Sequence, residues 1–359
     1  MQLKEQILKF SQSVGILYVK RGNRYGHATA FFVAPNIIQS TAHEIKSTDE
    51  LIFVIHDRIG ISFVEFGKNA WNANLIYMDP LIDFAFFELQ GFNDTITKKF
   101  LLPSISFPIE GELCLSIIFN GSVDNEWLRE MHRQLPTNVR KQTPQINEME
   151  ANKILKSDQR SVAIGEVAEY QEFRIRTKTS VAEGPSGSPC IYIFINEKGE
   201  YDEEEDFIQN KIKFHSWTLG STNEYNAQRP VVRVEYYKAY QTYVRPLIEK
   251  YLSDIEKKEL DHTFDSYFRY LVVYDVPVPE PYDSDPTFYE DFASISHHIK
   301  KIYYNEFEKI MFVEFDTFES AEENQKVILN KPFSGVKFNG VFFLDGKDPR
   351  DGKLVWKNK

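Results

Sequence analysis

Residues 181–190 read VAEGPSGSPC, and the interpretation of the whole chain depends on the centre of this stretch, GPSGSP at 184–189. Ser186 has a glycine two positions before it and another directly after it. Glycines at these positions allow a tight turn that points the serine hydroxyl into a cleft. The N–H groups of Gly184 and Ser186 could converge on one point, as an oxyanion hole requires. Taken alone, the stretch also fits a plain Gly/Pro/Ser loop between strands.

Two more blocks decide between these interpretations. Residues 26–45, GHATAFFVAPNIIQSTAHEI, contain two apolar strands joined by a Pro-Asn turn and then Ser-Thr-Ala-His, which ends at His43. Asp83 stands at the head of the apolar run in residues 79–89, DPLIDFAFFEL. A serine hydroxyl becomes a good nucleophile when an imidazole takes its proton, and a carboxylate fixes the tautomer of that imidazole. His43, Asp83 and Ser186 supply these three parts; a core histidine and a turn aspartate are the structural alternatives.

With these blocks the chain resembles the trypsin/chymotrypsin-like serine peptidases of the two-barrel fold, in their disulfide-free bacterial form. The histidine block of that family is similar to STAH at 40–43, its aspartate block to DFA at 83–85, and its G-x-S-G-x-P block to residues 184–189. The resemblance implies a mainly β domain built as a double antiparallel barrel. It also implies that His43 is the general base, that Asp83 orients it, that Ser186 is the nucleophile, and that Gly184 and Ser186 donate to the oxyanion. It implies no cofactor and no metal.

The same resemblance places a specificity pocket on both sides of the nucleophile. Ser180 falls at the base of this pocket, where a preference for Lys or Arg would need an aspartate, and Ser216-Trp217 is similar to the edge that pairs with substrate backbone. His215 is similar in position to the pocket histidine of glutamate-specific relatives, and an imidazole can hydrogen-bond a carboxylate or carboxamide. A strand histidine that faces elsewhere is the alternative. We expect cleavage after Lys or Arg to be disfavoured, with Glu, Gln and medium apolar residues open.

Composition limits the class and location of the protein. The chain has 359 residues, more than a usual single domain, with 42% hydrophobic and 26% charged residues, as in globular proteins. A net charge of −11 speaks against a nucleic-acid partner. The two cysteines, Cys114 and Cys190, indicate a reducing compartment. The N-terminal residues do not form a signal peptide, and no apolar run approaches the roughly 20 residues of a membrane span. We therefore expect a cytoplasmic protein without membrane contact.

The sequence predicts two domains. Residues 1–252 form the peptidase-like domain, with barrel one at about 13–90, barrel two at about 108–235 and a helix in residues 231–252. Residues 123–158 are polar and partly helical and form an insertion, for which a solvated surface excursion is favoured over a dedicated role. The polar segment 253–261 is the predicted boundary. The predicted strands of the first domain are 14–19, 28–33, 37–41, 51–55, 62–66, 73–78, 84–89, 112–119, 161–167, 172–177, 190–195 and 211–218.

Residues 262–359 are predicted to form a small α+β domain. The stretch 311–315, MFVEF, followed by a helix, resembles the second half of an RNA-recognition motif. Ile310 stands where a stacking aromatic is expected, Met311 replaces a small residue, and acids outnumber bases, whereas RNA platforms need π faces and positive charge. A ferredoxin-like module that binds protein is therefore favoured over one that binds RNA. Its predicted strands are 268–276, 309–315 and 336–344, and its predicted helices are 288–303 and 320–329.

The function that these patterns predict is that of a serine endopeptidase acting on a protein substrate through a His-Asp-Ser triad and an acyl-enzyme. A cytoplasmic peptidase must be restrained, so regulation by a partner or signal is expected, with the C-terminal domain as the site of a regulatory protein. A role in bacterial defence or conflict follows from analogy alone. The alternative is a catalytically silent, peptidase-like binding or scaffold protein whose C-terminal domain binds protein or, less favoured, RNA.

Overall fold

The structure is a computed structural model of the chain, which divides into two compact units. The first consists of Met1–Val231 and Glu235–Glu256, and the second of Val232–Val234 and Lys257–Lys359. None of the helices in the described ranges is both long and apolar enough to cross a lipid bilayer. The residues that the structure describes are 3–22, 24–46, 49–55, 69–92, 100–104, 110–120, 128–129, 132–133, 137, 141, 147–155, 159–171, 174–179, 185–193, 207–208, 211–221, 226–276, 286–330, 338, 340–343 and 353–358.

A closed barrel of six antiparallel strands follows the N-terminal helix, with the strand order β1-β2-β3-β6-β5-β4. Strand β1 reads VGILYVKR and is buried from Val14 to Val19, and strand β6 reads FAFFEL and is buried at every position but Glu88. Such near-continuous apolar runs fit strands that are covered on both faces. The predicted strand 62–66 lies outside the described residues. The elements are α1 (Leu3–Ser11), β1 (Val14–Arg21), β2 (Arg24–Ala34), β3 (Ile37–Ser40), β4 (Glu50–Val54), β5 (Ala70–Asp79) and β6 (Phe84–Leu89).

The second barrel also has six antiparallel strands, in the order β10-β15-β14-β11-β8-β9. A small separate sheet, ordered β12-β13-β7, lies beside the barrels in the same unit. The strands are β7 (Leu102–Pro103), β8 (Leu113–Phe119), β9 (Arg160–Gln171), β10 (Arg174–Thr177), β11 (Pro189–Ile193), β12 (Phe207–Ile208), β13 (Lys211–Phe214), β14 (Ser216–Ser221) and β15 (Asn226–Pro230).

The two barrels have the same strand order. When the strands of each barrel are counted in chain order, both close as 1-2-3-6-5-4. The predicted chymotrypsin-like double antiparallel barrel is therefore confirmed. Two details differ from the sequence prediction. The predicted strand 211–218 is divided at His215 into β13 and β14, and β15 was not predicted because its sequence, NAQRP, lacks the β-branched and aromatic residues that mark strands.

Helices close the first unit. Helix α2 (Glu148–Leu155) lies in the predicted insertion and starts with a capping box, in which the Asn147 side chain accepts from the Glu150 N–H at 2.9 Å. The predicted helix 231–252 is instead α3 (Val234–Tyr243), α4 (Arg245–Ile248) and a 3₁₀ turn, Glu249–Tyr251. Tyr236 of α3 packs on Phe84 of barrel one, with ring centroids 5.1 Å apart, and on Trp217 of barrel two, at 5.3 Å. Helix α3 therefore contacts both barrels.

The polar segment predicted as a boundary forms the first half of a helix, α5 (Asp254–Phe268). The helix starts because Ser253 and Glu256 cap it reciprocally. The Ser253 N–H donates to the Glu256 carboxylate at 2.7 Å, and the Glu256 N–H donates to the Ser253 hydroxyl at 3.2 Å. The change from the first unit to the second, at Glu256 and Lys257, thus falls within this helix.

The second unit contains a five-stranded antiparallel sheet in the order β19-β16-β18-β17-β20. The first four strands with α6 and α7 make a β-α-β-β-α-β ferredoxin-like unit, which confirms the predicted α+β class. The predicted helix 288–303 is wrong, since it ends at Ala293 and Ile299, Ile302 and Tyr304 point inward from a strand. Strand β20 was not predicted. The elements are β16 (Tyr270–Tyr274), α6 (Pro286–Ala293), β17 (Ile299–Asn305), β18 (Ile310–Phe315), α7 (Phe318–Asn330), β19 (Gly340–Phe343) and β20 (Lys353–Lys357).

Candidate active site

His43 and Asp83 meet on barrel one. His43 follows β3, and Asp83 lies in the turn between β5 and β6, where it adopts a φ of +63°. Aspartate is among the few residues that tolerate this left-handed conformation. Its Oδ1 accepts the N–H groups of Ala42 at 2.9 Å and His43 at 2.8 Å, while its Oδ2 lies 2.7 Å from Nδ1 of the His43 ring. One carboxylate therefore fixes both the backbone and the ring of His43.

Barrel two holds the Asp83 turn from the other side. The indole Nε1–H of Trp217, on β14, donates to the Asp83 carbonyl at 2.9 Å. Nε of Arg229, on β15, donates to the Ile82 carbonyl at 3.2 Å. Trp217 is fully buried, so its hydrogen bond is shielded from water. The position of the carboxylate beside His43 therefore depends on both barrels.

Ser186 lies at the junction of the barrels, in the turn that precedes β11. Its carbonyl accepts the N–H of Thr29, on β2, at 2.9 Å. Gly187 follows with a φ of +85°, and a Cβ there would lie 2.3 Å from the Thr29 carbonyl oxygen and 2.4 Å from the Ser40 hydroxyl. Only glycine fits such a close approach of two backbones. The glycine after Ser186, where the sequence pattern predicts a tight turn, therefore allows the turn to pack against barrel one.

The hydroxyl of Ser186 is not hydrogen-bonded to His43 in this structure. Its described partner is the carbonyl oxygen of Leu219, at 3.5 Å. Nε2 of His43 lies instead 3.3 Å from Oε1 of Glu44. The structure thus brings the three predicted residues to one junction and completes the contact between His43 and Asp83, but not the contact between His43 and Ser186.

The two carboxylates change the charge state of the imidazole. The pKa of His43 is raised to about 10, first by the hydrogen bond to Asp83 and next by the hydrogen bond to Glu44, with burial acting in the opposite direction. The hydrogen bond from His43 lowers the pKa of Glu44. Near neutral pH, therefore, an imidazolium faces two carboxylates.

The predicted oxyanion donors fall at the edge of the described residues. Gly184 lies outside them, so only the Ser186 N–H can be placed. No acceptor for this N–H is found among the residues that the structure describes. Its two neighbours along the chain are used, since the Gly187 N–H donates to the Thr218 carbonyl at 2.8 Å and the Ser188 N–H to the Pro185 carbonyl at 2.9 Å.

The structure places the predicted pocket residues inside barrel two. Ser180 lies outside the described residues, while His215, Ser216 and Trp217 are 1%, 0% and 0% exposed. Nδ1 of His215 accepts the Tyr192 N–H at 3.3 Å, and burial lowers the pKa of His215 to about 3, so that its ring is neutral. The Ser216 hydroxyl donates to Gln228 Oε1 at 2.6 Å. These three side chains pack inside barrel two, and the contact with substrate that the resemblance implies for them stays a prediction.

Two residues beside the site were missed by sequence reasoning. Leu219 is three positions after the buried Ser216, and its carbonyl is the one that lies next to the Ser186 hydroxyl. Glu44 directly follows His43 in the sequence, but adjacency in sequence does not predict a contact with the far nitrogen of the ring. Cys190, by contrast, is buried and free as predicted, and so is Cys114. Within the described ranges, no three His, Cys, Asp or Glu side chains are grouped so that they could hold a metal ion.

Comparisons with known proteins find likeness at the level of structure. A scan of known protein families finds none that matches the chain, and a search of curated proteins also finds no match. The chain is similar to the active form of the Rv3671c protease from M. tuberculosis, at 11% identity and a TM-score of 0.39, over 68% of this chain and 82% of that one. It is also similar to the thermostable serine protease AL20 from an extremophilic microorganism, at 13% identity and a TM-score of 0.38, over 62% and 91%.

The fold of the first unit rests on its own strand order. Two closed antiparallel barrels share the order 1-2-3-6-5-4, and the junction between them carries His43, Asp83 and Ser186. The first unit is therefore a chymotrypsin-like double barrel.

Proposed function

We propose that the protein is a serine endopeptidase. The observation that carries this proposal is the arrangement around Asp83, whose one carboxylate accepts from Ala42, His43 N–H and the His43 ring at 2.7 to 2.9 Å. A carboxylate on Nδ1 fixes the tautomer in which Nε2 can take a proton. This arrangement stands at a barrel junction that also carries Ser186 on a tight glycine turn. A purely structural aspartate would not need to orient a half-exposed imidazole.

The proposed chemistry is acyl transfer. Nε2 of His43 takes the proton of the Ser186 hydroxyl while Oγ forms a bond to the scissile carbonyl carbon. The N–H groups of Gly184 and Ser186 donate to the oxygen that becomes negative. His43 then gives its proton to the amine as the peptide bond breaks, and an acyl-enzyme remains. A water molecule, deprotonated by His43, attacks the ester and frees the carboxylic acid and Ser186.

The proposed substrate is a polypeptide that passes between the barrels. The Leu219 carbonyl lies 3.5 Å from the Ser186 hydroxyl, and the strand that carries it, β14, continues to Ser221. We propose that substrate backbone pairs along residues 219–221 rather than at the buried residues 216–217. The side-chain preference then depends on Ser180 and its neighbours, and the absence of an acid at 180 keeps Lys and Arg disfavoured. The second unit is proposed to bind a regulatory protein.

Labelling with a fluorophosphonate probe tests this function, because the probe forms a bond with an activated serine without needing a known substrate. The wild type is compared with Ser186→Ala, His43→Ala and the matched control Ser188→Ala. Ser188 is buried two residues along the same turn, and its hydroxyl finds no partner among the described residues, so its loss leaves Ser186 in place.

We expect labelling in the wild type and in Ser188→Ala to be slow near neutral pH and to become faster as the pH rises toward about 10, with a steep loss in both other variants. Labelling that persists in Ser186→Ala would contradict the assignment of the nucleophile. A folded protein that is not labelled at any pH, even when Glu44 is replaced, would favour a silent peptidase-like binding protein.

A further inference from the structure

The carboxylate of Glu44 occupies the nitrogen that the proposed function requires. Its Oε1 lies 3.3 Å from Nε2 of His43, and its side chain is 37% exposed. Nε2 is the atom that must accept the proton of Ser186, because Nδ1 is already bound to Asp83 at 2.7 Å. An imidazole whose two nitrogens both face carboxylates has no free lone pair for a serine.

The backbone that carries Glu44 is held by barrel one. Nη2 of Arg21, at the end of β1, donates to the carbonyl oxygen of Glu44. Nε of the same guanidinium donates to both carboxylate oxygens of Asp49, at 3.0 and 3.1 Å. The Asp49 side chain is 1% exposed and also accepts the Lys46 N–H at 2.7 Å. The start of the segment after His43 is thus anchored, and the freedom of Glu44 is confined to its side chain.

The Ser186 hydroxyl, which is the proposed nucleophile, is also not bonded to its expected partner. The Ser186 hydroxyl is 3.5 Å from the Leu219 carbonyl, a distance at the limit of a hydrogen bond, and is not bonded to His43. The base is therefore occupied by Glu44, while the hydroxyl lies at the limit of hydrogen-bond distance from a backbone carbonyl. The charged and titratable groups that act on this contact are Asp83, Arg21 and His27.

We propose that Glu44 is an inhibitory carboxylate that holds the site in a resting state by occupying Nε2 of His43, and that hydrolysis begins when this carboxylate moves away. The inference rests on the proposed function and deepens it by naming how a cytoplasmic peptidase would be restrained. The raised pKa of His43, with the Glu44 hydrogen bond as its second cause, agrees with the geometry. Both members of the contact are partly exposed, so the carboxylate can leave without opening the barrel.

Glu44→Gln and Glu44→Ala test the proposal, with Glu50→Gln as the matched control. Glu50 lies on β4, pairs with Lys20 at 2.7 Å and loses the same charge from the same barrel without contact to His43. The first measurement is the NMR titration of His43 in a Ser186→Ala background, which does not depend on catalysis. We expect both Glu44 variants to lower the pKa of His43 by about one unit or more, and Glu50→Gln to leave it nearly unchanged.

The second measurement is the rate of fluorophosphonate labelling near neutral pH in chains that retain Ser186. One unit in the pKa of the base corresponds to about a tenfold larger fraction of neutral imidazole, so we expect labelling in Glu44→Gln and Glu44→Ala to be about tenfold faster or more. Equal or slower labelling in both variants, with Glu50→Gln like the wild type, would overturn the inhibitory role.

The two measurements distinguish a failure of this inference from a failure of the proposed function. An unchanged His43 titration in both Glu44 variants would overturn the inference and leave the peptidase standing. A shifted titration with no labelling in any variant would overturn the proposed function, and the inhibitory role with it. Glu44→Gln keeps the size of the side chain. If Glu44→Ala alone fails to fold, both measurements can still be made on Glu44→Gln.

Discussion

The indole N–H of Trp217 donates a 2.9 Å hydrogen bond to the carbonyl oxygen of Asp83, which joins strand β14 of one barrel to the turn that carries Asp83 in the other. The bond is formed by a fully buried tryptophan whose ring also packs on Phe84, at 5.8 Å between centroids. Asp83 keeps a left-handed backbone in this turn, so the bond helps to maintain a conformation that a free turn would rarely adopt.

Trp217→Phe removes this bond and keeps most of the ring. The Asp83 carbonyl then loses its partner, and we expect the free energy of unfolding to fall by about 1–3 kcal/mol, as measured by chemical denaturation. We also expect slower fluorophosphonate labelling, because His43 depends on the Asp83 turn. Trp71→Phe, which alters a tryptophan packed on Phe92 in barrel one, serves as the control. Labelling equal to that of the wild type in a stable Trp217→Phe variant would show that the Asp83 turn keeps its conformation without this hydrogen bond.

Gly187→Ala is expected to damage both stability and the site. The new Cβ would meet the Thr29 carbonyl oxygen at 2.3 Å and the Ser40 hydroxyl at 2.4 Å, at a backbone φ of +85°. Strain of this kind costs on the order of 1–3 kcal/mol and would push the Ser186 turn away from barrel one. Thermal unfolding and labelling measure the two effects. Gly26→Ala is the control, because its Cβ would find only the Val19 carbonyl, at 4.0 Å. A tolerated Gly187→Ala would count against the close seating of this turn.

Asp83→Asn removes the charge beside His43 and keeps the size of the side chain. We expect labelling to fall by about 10⁴, since the imidazole loses its orienting anion. The pKa of His43, about 10 in the wild type with Asp83 as its largest cause, should fall as well, and NMR titration would record this. A variant that keeps a His43 pKa near 10 would show that Glu44, and not Asp83, dominates the charge of the ring.

The contact between His43 and Asp83 makes the stability of the fold depend on pH. The folded pKa of His43 is about 10 and the unfolded value is near 6.5, so the folded state holds the proton more tightly. The stability that this contact contributes is fully present below about pH 6.5 and is lost as the pH rises through about 10. The difference in unfolding free energy between the wild type and Asp83→Asn should therefore shrink over this interval. A difference that grows with pH would contradict this assignment.

His215→Ala should alter stability and not specificity. The imidazole is buried, neutral and bonded to the Tyr192 N–H, so its loss leaves a cavity and an unpaired donor in barrel two, worth on the order of 1–3 kcal/mol. A peptide-library profile of the variant should match that of the wild type. A changed preference for the residue before the cleaved bond, in a variant that remains folded, would restore His215 to the pocket.

A chain that ends at residue 252 should fold and react with the probe. This end lies directly before the Ser253 and Glu256 capping box, so it omits helix α5 as a whole, whereas an end near 255 would keep its first two residues without the cap. Circular dichroism and labelling are the measurements. A separately produced chain of residues 253–359 should also unfold cooperatively. Failure of both fragments to fold would contradict the proposed separation into two domains.

The sequence predicted which residues meet at the site better than it predicted the contacts that they make. The blocks around His43, Asp83 and Ser186 carried the resemblance that implies the double barrel, and the short strands and turn residues, which are local signals, indicated an antiparallel barrel as well. The pocket assignment stays a prediction, because it depends on strand register, which a sequence pattern does not show. Strand β14 runs on to Ser221 and shifts register between Thr218 and Gly220, which brings the Leu219 carbonyl to the nucleophile and buries Ser216 and Trp217.

Other features depend on contacts that a sequence pattern does not encode. The bond between Glu44 and His43 is set by side-chain rotamers and by Arg21, more than twenty residues earlier in the chain. In the second unit, the predicted helix 288–303 ran through Ile299, where a strand begins, because IKKIYYN carries a bulge between Ile299 and Lys301 that disturbs its alternation. Such a bulge hides a strand from any test based on a period of two.

Thr29 makes the formation of the site depend on the order in which the chain is synthesised. Its N–H binds the Ser186 carbonyl, its own carbonyl accepts the Ser40 hydroxyl at 2.8 Å, and its side chain accepts the Phe119 N–H at 3.4 Å. Residues 14–89 leave the ribosome before Ser186, so the Thr29 N–H lacks this acceptor until Ser186 is synthesised nearly a hundred residues later. On the proposed mechanism, a nascent chain would carry its base and its orienting acid long before it carried a positioned nucleophile. Chains that stop before Ser186 would then have no proteolytic capacity, which protects the synthesising cell from such incomplete copies.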